Sequence, residues 1–350
     1  MQIRQVLAFS LALVLLASAG PVLAQRDNRP QQPAPADPDT VTLVRLVDAV
    51  AMGSQPAPMD IEVKWDTNHF VKGQAGVTYI PFTLSIDRTA MGTPSAALYI
   101  RVVDKNQPAP AAPPTAAAPP RYAWDNINFI QIPADGKVSR AIALQPGEYE
   151  AFIAVKERSA PVDPKAKPAP NAAAVPAGKV AVHRHSLSVP DFNADGLTTS
   201  SVILASGIEQ VGQQLSPAEQ EANPYVFGPM RIVPQLNSRF SKSQELNVVF
   251  WIYGAGAAAN GKPDVLVEYN FHIRQPDGSE KYFNRTAPQE LNAQTLPPEF
   301  SVAAGHQLPG SLAVGLTPFP VGDYRLEVKV TDRTNNKTVT QNVNFTVLPV

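Results

Sequence analysis

Two stretches of this chain carry the same pattern. Val321-Gly322-Asp323-Tyr324-Arg325-Leu326-Glu327-Val328-Lys329-Val330-Thr331-Asp332-Arg333 follows a turn glycine with a tyrosine and then alternates apolar and polar residues. Tyr324, Leu326, Val328 and Val330 share one face, and Arg325, Glu327, Lys329 and Thr331 share the other. A period of two marks a strand with one buried and one wet side. Upstream, Pro146-Gly147-Glu148-Tyr149-Glu150-Ala151-Phe152-Ile153-Ala154-Val155-Lys156-Glu157-Arg158 repeats it, with Tyr149 matching Tyr324 and Arg158 matching Arg333. The repeat continues beyond this stretch. Val189-Pro190 aligns with Val347-Leu348, and the same offset brings Lys179 onto Lys337 without a gap. A chain that repeats a half-buried strand in this way is built from two copies of one β unit.

The rest of the sequence divides around those copies. Residues 1–24 hold Arg4, an apolar run over 6–19 and a small-x-small site at Val22-Leu23-Ala24, the pattern of a cleaved secretory signal. Cleavage there leaves Gln25 first, and no cysteine for a lipid anchor. The chain has no cysteine and 36 prolines, and its formal charge is −1. Loss of Arg4 makes it −2, which offers no electrostatic case for nucleic acid or an anionic membrane. No later stretch is long and apolar enough to span a bilayer. Residues 25–40 read as a solvated tail. Asp39-Thr40 then caps a helix through Val44, Val47 and Val50, or the same residues form an edge strand.

A first β domain, 41–190, holds candidate strands at 61–65, 77–86, 97–104, 127–132, 138–144, 149–156 and 180–189. Pro81 suggests an edge or a bulge for the second of these. Proline- and alanine-rich tracts at 107–120 and 159–178 interrupt the domain without adding to a core. A connector, 191–228, carries the apolar patch Val202-Ile203-Leu204 and a short helix started by Ser216-Pro217-Ala218-Glu219. The second β domain, 229–350, holds candidate strands at 230–233, 246–253, 265–274, 281–283, 312–316, 324–331 and 338–347. Asp135-Gly136, Pro276-Asp277-Gly278 and Thr334-Asn335-Asn336 are turn signals.

Some seven strands per unit and a tyrosine just after a turn glycine predict an all-β chain of two tandem immunoglobulin- or fibronectin-type sandwiches, with a barrel as the alternative. The tyrosine would cover the sandwich end while its hydroxyl reaches backbone. Val189-Pro190-Asp191-Phe192, Ser201-Val202-Ile203-Leu204-Ala205, Asn223-Pro224 before Phe227, and Val321-Gly322-Asp323-Tyr324 carry a resemblance. The chain resembles exported bacterial proteins with tandem immunoglobulin-like domains, of the kind that accompany von Willebrand factor A-related modules in acidobacteria. The resemblance implies a fold and a compartment, with the domains serving as scaffolds or interaction surfaces, and no activity.

Candidate chemistry is sparse. Asp191, Asn193 and Asp195 with Gly196 match the first half of a calcium loop, but Val202 stands where a bidentate carboxylate belongs. Residues 256–262 fit a phosphate-loop spacing, with Pro263 in place of the hydroxyl that holds magnesium and a strand following where a helix is needed. His183 and His185 share one strand face, as two metal ligands would, without an identifiable third. No Gly-x-Ser-x-Gly elbow and no His-Glu-x-x-His occurs. Trp65 and Trp251 read as core, whereas Tyr122 and Trp124 follow the first proline-rich tract and read as ligand-facing aromatics. The expected function is therefore non-catalytic, without a cofactor. The chain is expected to be an interaction or scaffold protein of the periplasm or cell surface that binds another protein. A carbohydrate-binding module, with calcium as an aid to binding, is the alternative.

Overall fold

The computed structural model describes residues 37–107, 122–158, 178–212 and 215–350. The leader-like segment and all but Gln107 and Gly178 of the two proline-rich tracts lie outside these residues. Described residues up to Ala194, together with Pro217–Pro224, form one compact unit, and Asp195–Ser216 with Tyr225–Val350 form the other.

The first unit opens with α1 (Pro38–Ala51). Asp37 caps it by accepting from the Asp39 amide at 2.9 Å, and Pro38 takes the first turn, where no intrahelical donor is needed. The helix thus starts inside the stretch read as tail. It buries Leu43, Val47 and Val50, an i, i+4, i+7 stripe that decides between helix and edge strand. Eight strands follow: β1 (Val63–Asn68), β2 (Val71–Lys72), β3 (Thr78–Ile86), β4 (Ser95–Asp104), β5 (Trp124–Gln131), β6 (Lys137–Leu144), β7 (Gly147–Glu157) and β8 (Val180–Val189). One sheet places β1 and β2 along one side of β3, and β6 along the other. The second sheet runs β5-β4-β7-β8. All pairs are antiparallel.

Ile80, Phe82 and Leu84 of β3 meet Leu98, Ile100 and Val102 of β4 and Ile153 of β7 in the core between the sheets. On the outer face of the second sheet, Ala97, Tyr99, Phe152, Ala154 and Val182 are buried with the helix stripe. The result is a sandwich with a helix laid on one side. Pro81 lies in a central strand, not at an edge. It is tolerated where the neighbouring ladder changes hands: β2 pairs with 78–79, β1 pairs with 82–86, and between them the His69 amide donates to the Pro81 carbonyl at 3.0 Å, a bond that needs no amide from the proline.

The second unit contains β9 (Thr198–Thr199), β10 (Ile203–Gln210), β11 (Val226–Phe227), β12 (Met230–Pro234), β13 (Arg239–Ser241), β14 (Glu245–Tyr253), β15 (Val265–Arg274), β16 (Glu280–Arg285), β17 (Gln289–Leu291), β18 (Leu308–Gly315), β19 (Gly322–Asp332) and β20 (Lys337–Leu348). One sheet runs β11-β12-β10-β14-β18, with β9 beside β14. The other runs β13-β20-β19-β15-β16, with β17 beside β15, and β13 joins β20 in parallel. The apolar patch read as connector is the start of β10, which pairs with β14 and β12. The short helix, α2 (Pro217–Ala222), belongs to the first unit. In the core, Gly310 faces Phe250 across the ladder, where a Cβ would stand 2.2 Å from the phenyl ring.

The two closing hairpins coincide residue for residue. Gly147, Tyr149 and Val155 pair with Val189, Leu187 and Ala181. Gly322, Tyr324 and Val330 pair with Val347, Phe345 and Val339. Both tyrosines are buried, and each hydroxyl donates to the carbonyl four residues back: Tyr149 to Gln145 at 3.0 Å and Tyr324 to Pro320 at 2.8 Å. These are tyrosine corners, a mark of immunoglobulin-like sandwiches. The residues that end β7 and β19 also match. Glu157 accepts from the Thr93 amide and Asp332 from the Gly256 amide, both at 2.8 Å, so each carboxylate ties down the loop that leads into the third main strand. Replacing Tyr149 or Tyr324 by phenylalanine keeps the ring and deletes one buried hydrogen bond. Each change is expected to lower unfolding free energy by about 1 kcal/mol in denaturant titrations.

Candidate functional site

The turn that matches half a calcium loop is folded around its own backbone. The Asp191 carboxylate accepts from the Asn193 amide at 2.8 Å, an Asx turn. Asn193 spends its side-chain amide on the Gly76 carbonyl at 3.1 Å. Asp195 falls in the second unit, whereas Asp191 and Asn193 fall in the first. Val202, at the position of the missing carboxylate, is packed into the second unit's core. Among the described residues no three His, Asp or Glu side chains gather as a metal cluster.

The phosphate-loop spacing is likewise occupied from within. The Gly256 amide donates to Asp332, a fully buried carboxylate that also accepts from Thr334 and Asn335. The Lys262 ammonium donates to the Pro297 carbonyl at 2.5 Å. The glycine and lysine that would cradle phosphate are instead tied to protein groups. In the second unit, a shallow cleft of about 370 Å³ opens where β16 gives way to β17, beside Glu268, Tyr269, Arg285 and Thr286. The Tyr269 hydroxyl there is held by Gln289 and the Ser311 carbonyl.

His183 and His185 share the inward face of β8. Trp65 stacks between Phe82 at 4.1 Å and His185 at 4.4 Å, with His183 next in line. Burial lowers both imidazoles, and His183 lowers His185 further. Burial also takes His69 down to about 4. These rings are neutral in the folded protein where unfolded chain would already take up protons, so the stability of the first unit falls as pH drops from about 6.5 toward 4. His69→Gln is expected to flatten that acid limb in melts followed against pH.

The aromatics expected to face a ligand are parted. Arg101 sits in the middle of β4, only 2% exposed, under α1. Its Nε donates to the Tyr99 hydroxyl at 2.8 Å, and Nη1 pairs with Asp48 of the helix. Tyr122 lays its ring 4.0 Å from the guanidinium carbon, and its hydroxyl reaches Asp48. Trp124 packs against the core between the sheets. Tyr122 and Trp124 therefore serve different faces of the second sheet and make no common platform. The exposed aromatic on this strand is Phe129, 47% accessible, with the Arg158 guanidinium 4.1 Å from its ring centre. On the opposite side of β5, Asn126 and Asn128 both donate to Glu221 of α2, at 2.8 and 2.9 Å. The helix rests on β6, so it closes the gap between the sheets there. Tyr79 fixes its far end by donating to the Pro224 carbonyl at 2.9 Å. Sequence reasoning missed Phe129, Arg158 and Glu221; the alternation of β5 was the available signal, blurred by its asparagines.

No family model matches the chain, and no curated protein does. Among solved structures, Salmonella alpha-2-macroglobulin reacted with methylamine is similar over 83% of this chain and 17% of its own length, at 9% identity and a TM-score of 0.20. The native conformation of E. coli alpha-2-macroglobulin covers 84% and 16%, at 10% identity and 0.21. A family 123 glycoside hydrolase from Clostridium perfringens covers 43% and 28%, at 9% identity and 0.19. The chain spans under a third of the length of each. At these scores the likenesses bear on neither its fold nor its function.

With Val202 in the core and Asn193 bonded to backbone, calcium titrated calorimetrically is expected to give no saturable site tighter than the millimolar range of weak extracellular sites. A micromolar site lost in Asp191→Ala would reverse that expectation.

Proposed function

We propose that the chain is an exported, non-catalytic interaction or scaffold protein that binds another protein through its sandwich surfaces or loops. One observation carries the reading. The closing hairpins of the two units match in register at every pair, yet the loops between them differ sharply. Thr334-Asn335-Asn336 joins Arg333 to Lys337, whereas residues 159–178 join Arg158 to Lys179. A framework held fixed while one loop is enlarged is the pattern of a binding module, since loops on a rigid scaffold carry recognition. The leader-like first 24 residues support export, to the periplasm or the cell surface. The resemblance to exported bacterial tandem immunoglobulin-like proteins points the same way.

The loop also supplies the test. Closing a loop of 20 residues instead of three costs about 1.7 kcal/mol of chain entropy. Replacing 159–178 by threonine and two asparagines should leave the melting temperature of the first unit unchanged or slightly raised, as seen by calorimetry. Capture of the envelope partner by affinity pull-down should fall at the same time. Capture that is indifferent to the loop would count against this reading of it, and collapse of the first unit would show that the tract packs as structure.

A further inference from the structure

We infer that the free edge of β5 is a docking site for an extended segment of another protein, which adds to the second sheet of the first unit as a fifth strand; this rests on the interaction reading above. β5 pairs with β4 along all eight residues without a register break, and its other side has no strand partner among the described residues. Its sequence, Trp124-Asp125-Asn126-Ile127-Asn128-Phe129-Ile130-Gln131, holds one charge and no lysine, arginine, proline or glycine. Long uncharged edges of this kind pair with other chains, and proteins usually blunt them.

The remaining edges of both units are blunted. β1 carries a register shift after Trp65, and β6 is flanked by α2. β8 is bridged by Met59 at Ala181. In the second unit β11 has two residues and β13 three, β18 contains Pro309, and β16 is charged at both ends and carries a register shift at Phe283. β5 shares the α2 flank through Asn126 and Asn128, but it runs eight residues with no register break and no proline.

The charges at this edge indicate the occupant. Asp125 stands exposed on one face and Glu221 beside Asn126 and Asn128 on the other. Arg140 of β6 feels Glu221, but β5 itself offers no cation. Arg158, over Phe129, is already paired with Asp37 and Asp39. The edge therefore suits a segment that alternates apolar residues, set beside Ile127 and Phe129 on one face, with basic ones, set beside Glu221 on the other. A second copy of this chain fits less well. Two-fold antiparallel pairing of β5 overlaps equally well with Ile127 or Asn128 facing its own copy, and either register brings two Glu221 carboxylates toward each other, a like-charge arrangement that works against self-pairing.

The experiment uses the full chain and two synthetic octapeptides, one alternating valine with lysine and one alternating valine with glutamate. The lysine peptide should bind saturably by calorimetry and slow amide exchange over 124–131. The glutamate peptide should bind about threefold more weakly or worse, the effect of one or two exposed charge pairs. Glu221→Gln, which keeps the acceptor for both asparagines, should shrink that preference while leaving the melting temperature in place. Failure of both peptides to bind, or protection confined to other residues, overturns the inference. So does concentration-dependent self-association with protection over 124–131, which would give the edge to a second copy. A partner captured through the 159–178 loop while both peptides fail would sink the edge and leave the interaction reading standing. Loss of both the peptide binding and the loop-dependent capture would sink the two together.

Discussion

A slip of one residue in either closing hairpin would turn its whole buried set to water, because strand side chains alternate faces. The hairpin register is therefore the constraint on which each sandwich depends. It is pinned at one end by the tyrosine hydroxyls on the carbonyls of Gln145 and Pro320. At the other end Glu157 and Asp332 hold the incoming loops. Between these anchors the alternation does the rest: Ala151, Ile153 and Val155 in one unit, and Leu326, Val328 and Val330 in the other, point into the core. What varies between the units lies outside this frame, in loop length, edge strands and the helix.

That frame was legible because it depends on period and turn chemistry, which a sequence displays directly. Gly136, Gly278 and Asn336 adopt positive φ where the turns were expected. The strand β10 was not legible as such, since its apolar start gives way to Ser206-Gly207, with no alternation to extend it. Pro81 misled because a proline in a central strand is tolerable only if the neighbouring ladder breaks, and that break belongs to residues 69–70, some distance away in the chain.

The candidate site was less legible. Arg101 lies in an apolar run, and a lone arginine on an outward face reads as solvated. Its burial depends on α1 covering that face, and the covering depends on Asp48, Asp39 and Asp37 meeting Arg101, Lys156 and Arg158. A buried guanidinium without its carboxylate is costly, so helix and sheet are matched in charge as well as in shape. The cation that the Tyr122 ring covers was not identifiable from sequence. Val202, which stands at the twelfth position of the half calcium loop, belongs to a core formed by residues far along the chain.

The chain reaches α2 after leaving β10 and before entering β11, so it passes between the two units at 194–195, at 216–217 and again at 224–225. Bead-on-string modularity does not hold here. A gene boundary at residue 194 would deprive the first sandwich of Glu221, leaving the amides of Asn126 and Asn128 without their acceptor and the flank between β5 and β6 uncovered. Shuffling the first sandwich into another protein would require carrying a piece of its neighbour along, so the pair is constrained to be inherited as one.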